Sequence, residues 1–225
     1  MKTTKNTSCS PIGYFLNPTS TSSRHSLCGP HSLVGAVSPN TGLPLLLVAT
    51  LDLSDPRLGI LGAKVCLIHL LYSWTCGISD GELTYRESNQ GIELLEYKKG
   101  PRQSDFPYEN YPVFFPRIEV ELEALTAQEQ MIINKINSQQ DDPISLEDQF
   151  PGLAVPRAQV GGEPRLMQWP LPEYLCPICG GSMPLLAAVG DENGSARGFT
   201  GNEFVQMIFF LCAGCAVVTA YNVTD

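Results

Sequence analysis

Basic residues are scarce in this 225-residue chain: 14 lysines and arginines stand against 23 aspartates and glutamates, a formal net charge of -9. A protein that grips nucleic acid regardless of sequence needs a cationic footprint to displace counterions, and none is present. The densest basic group, Lys98, Lys99 and Arg102, reads as the solvated end of a strand. No stretch approaches the roughly 20 apolar residues of a membrane-crossing helix. The start, MKTTKNTSCSPIGYF, lacks the apolar centre of a secretion signal. We therefore expect no nucleic-acid partner, no membrane partner and a cytoplasmic location. An acidic surface instead suits a basic protein partner.

Catalytic signatures are missing as well. There is no Walker A loop, no G-x-S-x-G elbow and no H-E-x-x-H helix. Histidine is rare, at His25, His31 and His69. His69 falls inside an apolar run and reads as a core or boundary residue before it reads as a base. His25 and His31 fall in a loop-like stretch, and Cys28 with His31 lacks a third group to orient it. The acidic cluster Asp141, Asp142, Glu147 and Asp148 reads as a solvated face. The sequons at Asn6, Asn193 and Asn222 carry no meaning in a chain that is not secreted. The expectation is a non-enzyme.

What is present supports a sizeable core. Hydrophobic residues make up 43% of the chain, in the range of an ordinary globular protein with one large or two small domains. Residues 1–30, rich in Ser, Thr, Asn and Pro, read as irregular. LPLLLVATLDL (Leu43 to Leu53) and AKVCLIHLLY (Ala63 to Tyr72) read as buried strands, because they are short and rich in branched and aromatic residues. Glu82 to Tyr97 alternates polar with apolar around Asn89-Gln90-Gly91, the pattern of a hairpin with one wet face. Val113 to Leu125 reads as a further strand. Thr126 and Glu129 then form a capping box ahead of a helix whose apolar face carries Met131, Ile132 and Ile136. A short helix is expected over Ser145 to Gln149.

The chain also resembles itself. Shifted by 140 residues, Leu43-Pro44-Leu45-Leu46 falls on Met183-Pro184-Leu185-Leu186, and Val65, Ile68 and Leu71 fall on Val205, Ile208 and Leu211. Upstream, Val34-Gly35-Ala36 matches Val160-Gly161-Gly162 at a shift of 126, leaving 14 extra residues in the second copy, around Cys176 and Cys179. An internal repeat makes each copy one unit that must bury a face against something.

Eight cysteines occur, and four form two tight pairs, Cys176-Pro177-Ile178-Cys179 and Cys212-Ala213-Gly214-Cys215, with 32 residues between the pairs. Two C-x-x-C knuckles supply four thiolates, the complement of a tetrahedral structural zinc. Gly180-Gly181 and Gly214 offer the backbone freedom a knuckle needs. If MPLLAAV and EFVQMIFFL pair antiparallel, Cys179 and Cys212 meet at one end of the hairpin. A thioredoxin-type dithiol would need the pair at a helix N-terminus, where glycines and a strand stand instead. The reading is Zn2+ held by Cys176, Cys179, Cys212 and Cys215. Cys66 reads as a core residue; Cys9, Cys28 and Cys76 are isolated, with a Cys28–Cys76 disulfide as the alternative.

The segment VPRAQVGGEPRLMQWPLPEYLCPICGGSMPLLAAV resembles the V-G-G-x-P, Q-x-P and C-P-x-C-G-x-x-M-x-x-L-x-x-V pattern of YwqG-like proteins, and is similar to an arrangement in the programmed cell death protein 2 family. PHSLVGAVSPNTGLPLLLVATLDLSD resembles the first repeat of that family, with Ala36 in place of a second glycine and Thr50 where glutamine is favoured nearby. The likeness covers residues 28–72 and 153–224. It implies a duplicated α+β fold and no reaction. It also implies binding roles, immunity or partner binding among the bacterial members and ribosomal-protein chaperoning in the second family. The four paired cysteines carry over as zinc ligands.

These readings combine into one expectation: an α+β fold of duplicated, mainly antiparallel sheet repeats with one central helix and a zinc-ribbon-like knuckle pair in the second repeat. Repeat one spans about 28–125, a helical connection about 126–150, and repeat two about 151–225, in a single domain. The function expected is a non-enzymatic protein-binding module, in its sharpest form an immunity protein that neutralises a toxin. A chaperone for a basic client such as a ribosomal protein, and an enzyme with a cleft between the repeats, are the alternatives.

Overall fold

A computed structural model of the chain describes residues 12–39, 42–60, 63–73, 82–97, 114–138, 149–153, 156–168, 170–190 and 205–224. The basic group at Lys98 to Arg102, the acidic cluster, most of the expected Ser145 to Gln149 helix, Cys9, Cys76, Asn6 and Asn193 lie outside them.

The apolar runs become strands. Leu46–Asp52 (β3) is buried along its whole length and pairs antiparallel with Leu67–Tyr72 (β4). Leu83–Ser88 (β5) and Gly91–Tyr97 (β6) form the hairpin read from the alternation, turning at Asn89-Gln90 with Ser88 opposite Gly91. Ile118–Ala124 (β7) is the strand before the helix.

The helix, Ala127–Ser138 (α1), starts where the capping box places it. The Glu129 N–H donates to Thr126 Oγ1 at 3.2 Å, and the Thr126 N–H donates to Glu129 Oε2 at 2.7 Å. Its buried face differs from the expectation. Ile132, Ile133 and Ile136 pack on Phe15, Leu125 and Leu153, while Met131 is exposed. The 3.6-residue period allows either stripe, and the sheet beneath selects one.

The N-terminal stretch is not irregular throughout. Tyr14–Pro18 (β1) and His25–Leu27 (β2) are strands, and β1 lies mid-sheet, pairing with β7 on one side and Gln159–Val160 (β8) on the other. Its partners stand more than a hundred positions away, Tyr14 facing Ala124 and Val160. Local composition carries no trace of such pairing.

With Leu185–Gly190 (β11), Val205–Cys212 (β12) and Val217–Thr224 (β13), these strands make one 11-stranded antiparallel sheet, ordered β4-β3-β2-β7-β1-β8-β11-β12-β13-β5-β6. Tyr174–Leu175 (β9) and Ser182–Met183 (β10) form a separate two-stranded piece.

The sheet curls until the β4 edge faces β5 and β13. Tyr85 bridges that edge: its hydroxyl accepts from the Leu71 N–H at 2.8 Å and donates to the His69 carbonyl at 2.6 Å. Glu87 accepts from the His69 N–H at 2.8 Å. The edge strand therefore finds side-chain partners for groups that would otherwise be left open. Tyr72 on β4 donates to Asn222 Oδ1 on β13 at 2.5 Å. Asn222 Nδ2 is itself buried, so in the folded chain this sequon is closed to a glycan. The main core fills the curl, from Leu45 and Leu51 through Tyr85 to Phe209.

Two three-stranded units of the sheet pair alike. Across β2-β3-β4 the row is Leu27, Ala49, Leu70; across β8-β11-β12 it is Val160, Ala187, Phe209. Both middle strands bulge just ahead of that row, between Leu47 and Ala49 and between Leu185 and Ala187, a shift of 138 instead of the 140 of the sequence match. Both first strands are followed by two residues of positive φ, Cys28 and Gly29 at 55° and 112°, Gly161 and Gly162 at 66° and 58°. The segment that corresponds to Val160-Gly161-Gly162 in this pairing is thus Leu27-Cys28-Gly29, whereas Val34 and Gly35 form a turn.

Candidate metal centre

The β11–β12 hairpin carries the two knuckles to one end, as antiparallel pairing of MPLLAAV with EFVQMIFFL requires. Leu185 faces Phe210, and the Leu211 N–H donates to the Pro184 carbonyl at 3.0 Å. One step upstream, β9 and β10 flank Cys176 and Cys179; one step downstream, the β12–β13 turn holds Cys212 and Cys215.

Each knuckle is closed by its own backbone. In the first, the Gly180 N–H donates to the Cys176 carbonyl and the Cys176 N–H to the Gly181 carbonyl, both at 2.8 Å. In the second, the Cys215 N–H donates to the Cys212 carbonyl at 3.2 Å and the Ala216 N–H to the Ala213 carbonyl at 3.3 Å. The residue after each second cysteine is left-handed, Gly180 at φ 71° and Ala216 at φ 53°. The expected freedom at Gly214 is not used, since Gly214 lies outside the left-handed region. A Cβ at either Gly180 or Gly214 would meet nothing within 4 Å, so backbone conformation alone separates them. Gly180→Ala is expected to cost about 1 kcal/mol, and Gly214→Ala to lie within about 0.5 kcal/mol of neutral or to stabilise, measured by denaturant unfolding. Equal effects of the two substitutions would contradict this account of the turns.

The four sulfurs of Cys176, Cys179, Cys212 and Cys215 lie within 4.8 Å of one another, with Cys179 and Cys212 at 3.7 Å. Sulfurs about 2.3 Å from a central zinc stand about 3.8 Å apart at the corners of a tetrahedron, so the donor set and its spacing fit such an ion. Cys176 and Cys215 are buried, Cys212 is half-buried and Cys179 is exposed. Behind them pack Leu171, Met183, Leu185, Ile208 and Val217. Tyr174 leans on Phe210 with ring centroids 4.9 Å apart, and Phe210 stacks on Tyr221. The Tyr174 hydroxyl donates to Glu82 Oε1 at 2.8 Å, and burial raises the Tyr174 and Tyr221 phenols above their ordinary range.

Without an ion the thiols divide. The Gly181 N–H draws Cys179 down to about 7, while burial pushes Cys212 up to about 12 and raises Cys215.

The other single residues fall differently from expectation. Cys66 is exposed rather than core, because it precedes β4 in a bend. Cys28 is a buried free thiol, raised to about 12 by that burial, which suits no nucleophile. His25 is buried in β2, taking the Asp52 N–H on Nδ1 and donating from Nε2 to Asp55 at 3.1 Å. The Arg57 guanidinium beside Asp55 holds that carboxyl well below its usual range. His31 donates from Nε2 to the Leu45 carbonyl at 2.6 Å. His69 lies half-buried inside β4 and donates from Nδ1 to Glu87 at 2.5 Å, a carboxylate that local reading did not connect with it.

Among the described residues, the fold and the site define a curled antiparallel β-sheet with one capped helix and a four-cysteine cluster fastened across a hairpin. No family model matches the chain, and no curated protein matches it. Among the described residues no helix is long and apolar enough to cross a membrane.

Proposed function

We propose that Cys176, Cys179, Cys212 and Cys215 hold one structural Zn2+ and that the chain is a cytoplasmic, non-enzymatic protein-binding module. The observation that carries the metal reading is the mutual approach of the four sulfurs within 4.8 Å. Four sulfur donors leave no position open for water, so the ion would tie the knuckle to the β12–β13 turn and perform no chemistry. The binding reading rests on the net charge of -9, which favours a basic partner, and on the resemblance to YwqG-like proteins. An immunity protein capping a basic toxin domain is its sharpest form. The like pairing and shared bulge of the two three-stranded units support an origin by duplication.

Two measurements test this. Metal analysis of protein purified without added zinc should find about one zinc per chain, and Cys176→Ser should lose it. A metal content near zero in the unmutated chain ends the metal reading. Affinity capture from the native host should retain a basic protein. A toxin domain supports the immunity role, a ribosomal protein replaces it with chaperoning, and no retained protein overturns the binding reading.

A further inference from the structure

Strands β7, β2, β3 and β4 carry an unusual row. Glu119 faces Ser26, Ser26 faces Thr50, and Thr50 faces His69. Cross-strand partners share a face of the sheet, so these four polar side chains form one line across the four strands. Ser26 is fully buried, and its Oγ has no hydrogen-bond partner in the structure.

A cleft of about 700 Å³ opens over the β3–β4 end of this row, and Thr50, His69, Asp52, Arg24 and Arg117 are among its lining. Glu87 accepts from both the His69 N–H and Nδ1, which fixes the ring and leaves Nε2 as the nitrogen available to a ligand. Each arginine is anchored to a carboxylate through one nitrogen. Arg24 Nη1 donates to Asp52 at 2.9 Å, and Arg117 Nε donates to Glu119 at 2.7 Å. The remaining guanidinium nitrogens are directed donors in an otherwise acidic protein. Leu47, Pro30 and Leu67 supply apolar wall.

We infer that this cleft binds a small organic ligand bearing a carboxylate or phosphate group, the anionic end on Arg24 and Arg117 and the polar body on His69 Nε2 and the Thr50 hydroxyl. The site lies on the first three-stranded unit and the entry to β7, and shares no residue with the cysteine cluster.

Cys66 lines the same cleft and is exposed, so it reports occupancy without being part of the ligand contacts. Inorganic phosphate and acetate are titrated separately, at constant ionic strength, into the full metal-loaded chain. The readouts are the His69 Nε2 resonance and the alkylation rate of Cys66 by peptide mapping. At least one anion should shift the resonance saturably and protect Cys66 over the same concentrations. The anion that saturates identifies the group. Arg117→Gln and, separately, Arg24→Gln should each weaken binding by about tenfold while metal content stays unchanged. Thr50→Val provides a third variant if either arginine change perturbs folding. Linear, unsaturable shifts with both anions, or undiminished binding in folded variants, overturn the inference.

Discussion

Serine at Cys176 is expected to release the metal and to destabilise the chain by more than about 4 kcal/mol, because metal binding free energy at a structural site is folding free energy. In a chain of this size that corresponds to a fall in Tm of roughly 8 °C or more, at about 2–4 °C per kcal/mol. The β9–β10 piece has two residues per strand, and a two-stranded hairpin is marginal by itself. Metal loss should therefore be felt first there. Hydrogen-exchange protection at the Cys176 and Gly180 amides should vanish, while amides along β3 keep theirs. Acid should act in the same direction. Burial keeps Cys212 and Cys215 protonated near neutral pH in the metal-free site, so the ion must displace those protons. Affinity then rises with pH, and a chelator should strip the metal more readily at pH 6 than at pH 8. Unchanged metal content and Tm in Cys176→Ser would sink the proposal.

Tyr85→Phe is expected to cost about 2–4 kcal/mol, the second largest effect, although it removes a single oxygen. That oxygen serves two backbone groups on the β4 edge, the Leu71 N–H and the His69 carbonyl. Phenylalanine keeps the packing of a fully buried ring and leaves both groups unpaired in the core. Tyr72→Phe is the control. It deletes the bond to Asn222 Oδ1 and should cost about 1 kcal/mol. Denaturant midpoints measure both, and exchange at the Leu71 amide locates the damage. Similar small losses for the two variants would mean that Tyr85 does not close the curl.

Both predictions depend on residues of unequal legibility. The capping box was readable because its two bonds join residues three apart, within reach of any sequence window. The β5–β6 hairpin was readable for the same reason. The four-cysteine cluster was readable because identity and spacing of the donors limit the chemistry, whatever fold surrounds them. Ala216 was not, since a left-handed alanine is a choice the turn imposes against preference. Nor was the row Ser26, Thr50, His69: each lies in a different strand, and each alone looks like a polar residue in a loop or a boundary residue.

By itself, the sequence determined the strand character of the longer apolar runs, the capped start of α1 and the four-cysteine donor set. Only the tertiary structure decided that β1 stands mid-sheet, that Leu27-Cys28-Gly29 takes the place opposite Val160-Gly161-Gly162, and that β4 curls back onto β5. The reason is physical. Alternation states that a strand has an apolar face, but neighbour and register are set by pairings that gain free energy only after a long loop has closed, and by bulges and twist that reorient the whole sheet. Tyr14 meeting Val160, or Tyr72 meeting Asn222, is a property of that closed sheet and of no shorter stretch of chain.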